Sequence, residues 1–390
     1  MTKENGYEKF KCCHYISMYL PLTCVWIYNI LIHCKDFSPI VLTRKILNED
    51  HYETKWVTSL SQLNKIKYYY NFLVFKVKGY FPLFFNKCKS EKVQILHTHF
   101  GYNSIKTVAL KKKLHIPMVC SFYGNDVYLW TNEKKYCEKL MSLFQSCELM
   151  LVLGPYMKNR LIELGCPEEK ITIHHLGVDV DQIEYRQRTI ENAPIRFLLA
   201  SSFVDKKGVD IVLNALSILN GKIDFSVDII GDGPLKSDLI TLTRELKLSE
   251  KVYYYGYKDY SFFLKLALEC HVFLQASRTA KNGDKEGTPM SIVDAMATGL
   301  PVISTKHSDI PEIVIDGETG YLAEENNVQD FANCILKLID NPEKYKKMNI
   351  CSRNQIMENF NIRIQVEKLE NIYRQLIAME GINNNIYTFY

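Results

Sequence analysis

The chain has 390 residues, of which 47% are hydrophobic and 24% are charged, and its formal net charge is +4 at pH 7. One hydrophobic core rarely supports a chain of this length, so two domains are expected. The composition is typical of a soluble globular protein and excludes a disordered or membrane-embedded chain. The charge is too mild to indicate a nucleic-acid partner, and the sequence contains no recognition motif for one.

The chain contains twelve cysteines. Their positions include no Cys-x-x-Cys pair and no spacing typical of zinc ligands. We therefore interpret them as reduced thiols of a cytoplasmic protein, because disulfides rarely persist in a reducing compartment.

The segment 16–32 is largely apolar and follows three lysines, as a signal anchor would. However, Pro21, Thr23 and Asn29 interrupt the segment, and it is short for a membrane span. No small-residue cleavage site follows it. A first strand, a loop and a first helix are therefore the favoured interpretation.

Short apolar runs alternate with helical stretches along the whole chain, a pattern that predicts parallel α/β domains. Two consecutive sets of such runs predict two Rossmann-like domains, with ligands in a central cleft where the carboxyl ends of the strands face each other. A polar linker at 185–194 divides the chain into domains 1–188 and 189–361 and a C-terminal segment 362–390. The predicted strands are residues 14–20, 39–43, 93–97, 118–122 and 149–153 in the first domain and 196–200, 226–230, 252–255, 272–275 and 301–304 in the second.

The segment 54–90 has an unusual composition, with seven lysines, many aromatic residues and no Asp or Glu. Lysine heads beside aromatic bodies favour docking at an anionic membrane surface, because electrostatic attraction and apolar insertion reinforce one another. A pair of amphipathic helices packed on the first sheet, with the lysines in water, would produce much of the same pattern. Both interpretations stay open at this point.

Two polar loops are predicted at the carboxyl ends of neighbouring strands in the first domain. His97 and His99 close one strand, and Tyr123, Gly124 and Asp126 follow the next. His-x-His spacing can bind a metal, but the sequence suggests no third ligand nearby, so we predict no metal. We expect one histidine to point inward and the other to reach the cleft. His99, Tyr123, Gly124 and Asp126 are the candidates for the acceptor side.

Two loops of the second domain are candidates for phosphate and nucleotide contact. Lys206 and Lys207 follow its first strand, where a loop should open toward the cleft. Gly231-Asp-Gly233-Pro ends another strand in a tight turn, which is as readily structural as ligand-binding. Lys236 occupies the place of the third glycine of a dinucleotide fingerprint, so the signal for a nicotinamide-dependent oxidoreductase is weak.

Glu286 and Asp294 lie eight positions apart around a predicted loop and helix start. Thr288 can cap this helix and Pro289 suits its first turn, so we expect the helix to begin here and end near Thr298. Free amides and the helix dipole at such a start favour the phosphate oxygens of a sugar nucleotide. The candidate donor-binding residues of the helix start are Gly287, Thr288, Pro289, Met290 and Ser291.

The Glu286 element resembles the E-x7-E signature of retaining GT-B glycosyltransferases of the family 4 type, and the resemblance extends from about residue 93 to residue 376. Three positions depart from the family pattern. Asp294 replaces the second glutamate, Ser202 replaces a phosphate-binding arginine while Lys207 matches the lysine five residues later, and Tyr123 replaces the histidine of a His-Gly-x-Asp loop. Lys206 or a residue outside its loop could compensate for the missing arginine.

The resemblance implies transfer of a hexose from a UDP- or GDP-linked donor to a glycan or lipid-linked acceptor, with retention and without a metal or cofactor. It further implies cell-surface polysaccharide or glycolipid biosynthesis, and a C-terminal helix that crosses back to the first domain. Together with the segment 54–90, the expected location is the cytoplasm, at the inner face of the cell membrane. In this scheme Glu286 is catalytic and holds the donor sugar, Asp294 holds the ribose, and Lys207 meets the diphosphate. Gly231 and Gly233 line the nucleotide pocket. Because the three departures occur together, a non-catalytic nucleotide-sugar-binding subunit is the alternative.

Overall fold

A computed structural model describes residues 9–21, 24–190 and 194–387 of the chain. The chain divides into unit 1, residues 1–177 and 362–390, and unit 2, residues 178–361. The sequence placed this boundary at residue 188. The structure's division falls earlier because the Tyr185 hydroxyl donates to Asn349 and the Arg188 guanidinium donates to the Thr298 carbonyl, both within unit 2.

Unit 1 is built on a seven-stranded parallel sheet in the order β5-β3-β1-β6-β7-β8-β9, and β2 pairs with β4 in a separate two-stranded sheet. The predicted strand at 14–20 is displaced, since β1 ends at Tyr15. The short strands β5 and β9 were not predicted, because three-residue strands carry too little periodic pattern. The strands are β1 Phe10–Tyr15, β2 Met18–Tyr19, β3 Phe37–Thr43, β4 Lys45–Ile46, β5 Val57–Ser59, β6 Ile95–His99, β7 Met118–Ser121, β8 Leu149–Val152 and β9 Ile171–Ile173.

The helices of unit 1 connect these strands. The first begins inside the apolar segment 16–32 and has nine residues. Among the helices of the described ranges, none is both long enough and apolar enough to cross a bilayer. The helices are α1 Val25–His33, α2 Lys65–Lys78, α3 Pro82–Ser90, α4 Gly101–Ser104, α5 Val108–Leu114, α6 Asn125–Tyr128, α7 Lys134–Ser146 and α8 Pro155–Glu163.

Unit 2 has a six-stranded parallel sheet in the order β12-β11-β10-β13-β14-β15. Alternate residues of its strand β10 enter different hydrophobic cores: Phe197 and Leu199 enter one, and Leu198 and Ala200 enter the other. Successive side chains of a strand point to opposite faces, so both faces of the sheet are covered. The elements are β10 Ile195–Ala200, α9 Val209–Leu219, β11 Phe225–Ile230, α10 Lys236–Glu245, β12 Val252–Gly256, α11 Tyr260–Glu269, β13 Val272–Leu274, α12 Met290–Ala297, β14 Val302–Thr305, α13 Ile310–Ile313, β15 Gly320–Ala323, α14 Val328–Ile339 and α15 Pro342–Asn359.

The last helix, α16 Ile362–Tyr387, packs on unit 1. Its apolar residues recur at helical spacing, and Leu369 and Tyr373 enter the same core as Ile95 of the sheet. The Glu370 carboxylate accepts three backbone N–H groups, from residues 35, 36 and 37, at 2.8 to 3.1 Å. The predicted return of the C-terminal helix to the first domain is confirmed.

Candidate active site

The carboxyl ends of the unit 2 strands bring three distant loops together. Because all six strands are parallel, the loops that follow them open at one edge of the sheet. The loop after β10 contributes Lys207, the loop after β13 contributes Glu286, and the loop after β14 contributes His307. These three residues therefore lie in loops that follow neighbouring strands, although they are far apart in the sequence.

Glu286 and Lys207 form a buried ion pair at this edge. The Lys207 ammonium donates to Glu286 Oε2 at 3.0 Å, and only 4% of the Glu286 surface is exposed. The other carboxylate oxygen, Oε1, also lies 3.0 Å from Lys207 Nζ but has no hydrogen-bond partner. The Lys207 ammonium offsets the charge of this oxygen, and its lone pairs can still accept a hydrogen bond from a ligand hydroxyl.

A second carboxylate fixes the position of Glu286 through a histidine. The Glu286 backbone N–H donates to His307 Nε2 at 3.1 Å, so the His307 proton resides on Nδ1 and is donated to Glu325 Oε1 at 2.7 Å. Burial lowers the pKa of His307, and its contact with Glu325 opposes that shift. The Ser308 hydroxyl also donates to the Glu286 carbonyl. Sequence reasoning missed His307 and Glu325, although His307 follows a predicted strand.

The remaining cations of the β10 loop region are held by carboxylates. The Lys206 ammonium lies 3.0 Å from Asp284, and the Arg278 guanidinium lies 2.6 Å from Asp205 and 2.9 Å from Asp210. Arg278 was not singled out from the sequence. Both pairs tie the β10 loop to the loop after β13. Lys206 and Arg278 therefore hold this loop in place, and Lys207 is the cation beside Glu286.

The start of α12 differs in detail from the prediction. The helix begins at Met290, Pro289 occupies the N-cap position, and no side chain caps the helix, so the predicted Thr288 cap is wrong. The Ser291 hydroxyl donates to Gln275 Oε1 at 3.1 Å and thereby holds the loop after β13. Gly287 immediately follows Glu286 and is buried. The Ile292 N–H donates to the Pro289 carbonyl at 2.9 Å, so the N–H groups of Met290 and Ser291 are the ones that the start of the helix offers to an anion.

Asp294 lies one turn into α12 and is held by a tyrosine. The Tyr260 hydroxyl donates to Asp294 Oδ1 at 2.8 Å. Part of the Asp294 surface is exposed, yet desolvation by the surrounding protein raises the pKa of its carboxyl to about 7. Tyr260, which sequence reasoning did not find, therefore occupies one oxygen of the predicted ribose ligand.

Gly231 and Gly233 have a packing role in the turn after β11. Their φ angles are +149° and +157°, in the range that favours glycine. A Cβ at Gly231 would lie 1.9 Å from the Ser201 carbonyl oxygen, and one at Gly233 would lie 2.7 Å from that of Phe203. The two turns pack too closely for a side chain at either position. Contact of these glycines with a nucleotide stays a prediction.

In unit 1 the predicted acceptor-side histidines lie in a buried cluster. His14 Nδ1 lies 3.1 Å from His99 Nε2, His99 Nδ1 lies 2.7 Å from the Tyr123 hydroxyl, and His97 contacts the hydroxyls of Tyr373 and Ser121. His97 and His99 are both buried, so neither is exposed in unit 1, and the expectation that one of them reaches the cleft stays a prediction. Residues i and i+2 of a strand share a face, and β6 continues through His99.

The same cluster corrects the expectation that no third imidazole lies nearby. Within the described residues, His14, His97 and His99 are the group whose ligand atoms, within 4.8 Å of one another, could share a metal ion. Every ring nitrogen of His97 and His99 has a hydrogen-bond partner, whereas His14 Nε2 has none. Burial lowers the pKa of His14 to about 3 and the pKa values of the other two well below their usual range, so all three imidazoles are neutral near pH 7.

Asp126 positions a loop of unit 1. Its Oδ1 accepts the backbone N–H groups of Tyr123 and Gly124 at 3.1 and 3.0 Å, and its Oδ2 accepts that of Gly101 at 2.9 Å. Burial raises the pKa of this carboxyl, and the three N–H donors oppose that shift. Asp126 is fully buried, whereas Tyr123 is partly exposed. Among these acceptor-side candidates, Tyr123 is the side chain with some exposed surface, and contact of any of them with a ligand stays a prediction.

Comparison with known proteins gives consistent family matches for both units. A family model described as glycosyl transferases group 1 matches residues 181–355, and one described as glycosyltransferase family 4 matches residues 37–182. The amylovoran biosynthesis glycosyltransferase AmsK of Erwinia amylovora is 30% identical over 285 residues, which are 72% of this chain and 70% of that protein.

Two solved structures share the fold at low sequence identity. A glycosyltransferase from Rickettsia africae has a TM-score of 0.78 at 19% identity, and the match covers 95% of this chain and 99% of that chain. Anabaena HepE in complex with UDP-glucose has a TM-score of 0.74 at 16% identity, and the match covers 94% of this chain and 100% of that chain.

The chain therefore belongs to the group 1 glycosyltransferases of the family 4 type, which have the GT-B fold. It is an enzyme that transfers a sugar. The family and the two-domain α/β fold that the sequence predicted are both confirmed.

Proposed function

We propose that the protein transfers a hexose from a nucleotide diphosphate sugar to a glycan or lipid-linked acceptor during assembly of a cell-surface polysaccharide or glycolipid. The observation that carries this proposal is Glu286 Oε1, a buried carboxylate oxygen without a hydrogen bond, beside Lys207 and the start of α12. A sugar hydroxyl would satisfy this oxygen, and a diphosphate would meet the cation and the helix amides. The polysaccharide-related name of the Erwinia relative supports the biological role.

In this proposal the anomeric carbon of the donor loses its bond to the diphosphate and gains one to the acceptor oxygen, with retention of configuration. The acceptor proton moves to a phosphate oxygen of the donor. Lys207 and the amides at the start of α12 stabilise the charge on the departing diphosphate, and Glu286 holds the hydroxyls of the sugar. Fixed charges and dipoles of this kind supply the main catalytic contribution.

We place the donor among UDP- and GDP-linked sugars and test UDP-glucose first. The fold likeness to HepE, which was solved with UDP-glucose, supports that order. We further propose that neither a metal nor a cofactor is needed, because Lys207 and the α12 amides already provide positive charge for the diphosphate. Transfer that persists in a chelating buffer would support this part, and loss of transfer that added Mg²⁺ restores would refute it.

We further propose that the reaction takes place in the cytoplasm. All twelve cysteines are free thiols, including Cys13 and Cys88, whose sulfur atoms lie 3.8 Å apart. The cysteine positions support this proposal, because they include no Cys-x-x-Cys pair and no spacing typical of zinc ligands.

The decisive experiment combines binding and transfer. Wild-type protein, Glu286→Gln and the control Glu318→Gln, an exposed carboxylate of unit 2, are screened with UDP- and GDP-sugars by thermal shift and by donor turnover. Ligand at 100 times its Kd should stabilise the wild type by about 2.7 kcal/mol. We expect Glu286→Gln to lose turnover by about a hundredfold or more, while Glu318→Gln behaves as wild type. Turnover of Glu286→Gln at the wild-type rate would contradict the assignment.

The same screen separates the alternatives. A non-catalytic binding subunit, which Ser202, Tyr123 and Asp294 keep open, would show nucleotide-sugar stabilisation without transfer or donor hydrolysis for any acceptor. A nicotinamide-dependent oxidoreductase would be stabilised by a dinucleotide and not by a nucleoside diphosphate.

A further inference from the structure

Helix α2 exposes a continuous apolar face. Ile66, Tyr69, Tyr70, Leu73 and Val77 are between 58% and 83% exposed. Their spacing follows the helical repeat, so the five side chains lie on one side of the helix and span about 100° of its circumference. We call these five residues the α2 stripe.

The opposite side of α2 packs against α3 and the residue that precedes it, Phe81. Asn71 is buried, and its side chain donates to the Lys67 carbonyl and accepts the Leu83 N–H at 2.9 Å, which links α2 to α3. The rings of Phe72 and Phe75 lie 5.2 and 4.3 Å from that of Phe81. An ordinary amphipathic helix would therefore turn a polar face outward. In α2 the outward face is apolar, so packing on unit 1 does not explain the α2 stripe.

Lysines flank the α2 stripe along both of its edges. At about 100° per residue, Lys65 and Lys76 lie along one edge, and Lys67 and Lys78 lie along the other. The surrounding segment 54–90 contains no Asp or Glu. This arrangement combines an apolar surface with positive charge on both sides. A partner surface with an apolar interior and negatively charged groups at its boundary would complement it.

Elsewhere the exposed large apolar side chains are scattered. Among the described residues, no other helix or strand has more than two of them, and the pairs on α1, α8 and α15 are at most 45% exposed. Single exposed apolar residues are normal on protein surfaces, whereas a contiguous group marks an interaction site. The α2 stripe is therefore a distinct surface feature of the molecule.

We propose that the α2 stripe binds the surface of an anionic lipid bilayer, with α2 lying in the plane of the interface. The apolar side chains enter the boundary between head groups and acyl chains, and the four lysines of α2 meet the lipid phosphates. A second copy of the chain does not complement this surface, because pairing two α2 helices would bring lysines against lysines. The proposal concerns adsorption to the bilayer and does not depend on the donor or on the transfer reaction.

The test is flotation of the full chain with vesicles, without nucleotide sugar or acceptor. Vesicles of phosphatidylcholine alone are compared with vesicles that also contain phosphatidylserine. The stripe variant is Leu73→Gln/Val77→Gln, and its control is Ile350→Gln/Met357→Gln, which makes similar changes on the exposed side of α15. The charge variant is Lys76→Gln/Lys78→Gln, and its control is Lys112→Gln/Lys113→Gln on α5.

We expect the wild type to float with the anionic vesicles, and the stripe variant to bind them more than about tenfold more weakly. The charge variant should lose about fivefold per lysine on anionic vesicles, and both controls should match the wild type. Wild-type protein that fails to float with anionic vesicles would overturn the proposal, as would equal binding by wild type and stripe variant. A stripe variant that only converts a vesicle-free dimer to a monomer would assign the α2 stripe to a second copy instead.

Discussion

The polar centres of the two units differ in charge: one contains ion pairs, and the other contains neutral groups. Unit 2 holds ionised groups in pairs, with Lys207 on Glu286 and Arg278 on Asp205. Unit 1 holds neutral groups, since its three buried imidazoles contact one another and the hydroxyls of tyrosine and serine. Under the proposed function, the paired charges would meet the departing diphosphate and the neutral groups would lie on the side of the acceptor.

The stability of the two units should also respond differently to pH. In unit 1 the pKa of His14 is lowered to about 3, so the unfolded chain binds protons more readily than the folded one below the usual histidine pKa. In unit 2 the pKa of Asp294 is raised to about 7, so between about pH 4 and pH 7 the unfolded chain releases a proton that the folded protein keeps, and stability falls as pH rises. The histidines thus favour higher pH and Asp294 favours lower pH.

Acid should have the largest effect, and it should act on unit 1. Each histidine that stays neutral in the fold costs about 1.4 kcal/mol per pH unit below about 6.5, so three of them cost on the order of 5 kcal/mol at pH 5. Urea unfolding at pH 7 and pH 5 would measure this through tryptophan fluorescence, because Trp26, Trp56 and Trp130 all lie in unit 1.

A matched pair of variants assigns this acid effect to the buried cluster. His14→Leu should lose about 2 kcal/mol less stability than the wild type between pH 7 and pH 5, whereas His115→Gln, at an exposed position, should follow the wild type. An unchanged pH dependence in His14→Leu would show that the neutral His14 imidazole does not cause the acid sensitivity.

Breaking the charged pair of unit 2 should have the next largest effect. Lys207→Ala leaves Glu286 buried without its cation, so we expect a loss of about 3 kcal/mol in unfolding free energy together with loss of transfer. The double variant Lys207→Met/Glu286→Leu should regain most of the stability and none of the transfer. Denaturant unfolding and donor turnover measure the two quantities, and recovery of both would show that the pair has no catalytic role.

Glu325→Gln tests how Glu286 is positioned. Weakening the contact between His307 and Glu325 should reduce kcat/KM by about tenfold, the effect of one charge-assisted hydrogen bond. The neighbouring Glu324, which is exposed and pairs with Lys306, provides the control Glu324→Gln. If the two variants have equal kcat/KM, the histidine link does not position Glu286.

Binding of the donor should release protons at Asp294. Ribose hydroxyls that donate to this carboxylate favour its ionised form, so affinity for UDP-glucose should rise from pH 6 to pH 8 by up to about tenfold. Calorimetry in two buffers of different ionisation enthalpy measures the released protons. Asp294→Asn should abolish the release, and release that persists in this variant would exclude Asp294 as its source.

Tyr123→Phe should have the smallest effect of the series. The Tyr123 hydroxyl lies 2.7 Å from His99 Nδ1, and losing one hydrogen bond to the acceptor costs about 1 kcal/mol, or about a fivefold increase in KM for the acceptor. Donor affinity should not change. A change in donor affinity would instead show that Tyr123 contacts the donor.

The sequence by itself determined the elements and the residue types of the donor loops. Apolar runs of strand length between helical stretches predicted two parallel α/β units, since this pattern depends on neighbours in the chain. The Glu-Gly-Thr-Pro run at 286 and the lysine after β10 could be found in the same way. The sequence also indicated that the segment 54–90 is unusual, and it left open which face of α2 is apolar.

Only the tertiary structure decided which side chains meet. His14 and His99 are 85 positions apart, and Lys207 and Glu286 are 79 apart, so strand order and register bring them together. The same holds for the link from Glu325 through His307 to Glu286 and for the outward direction of the α2 stripe. Periodicity within one segment fixes which residues share a face, but the neighbour that covers that face is set by the packing of the whole chain.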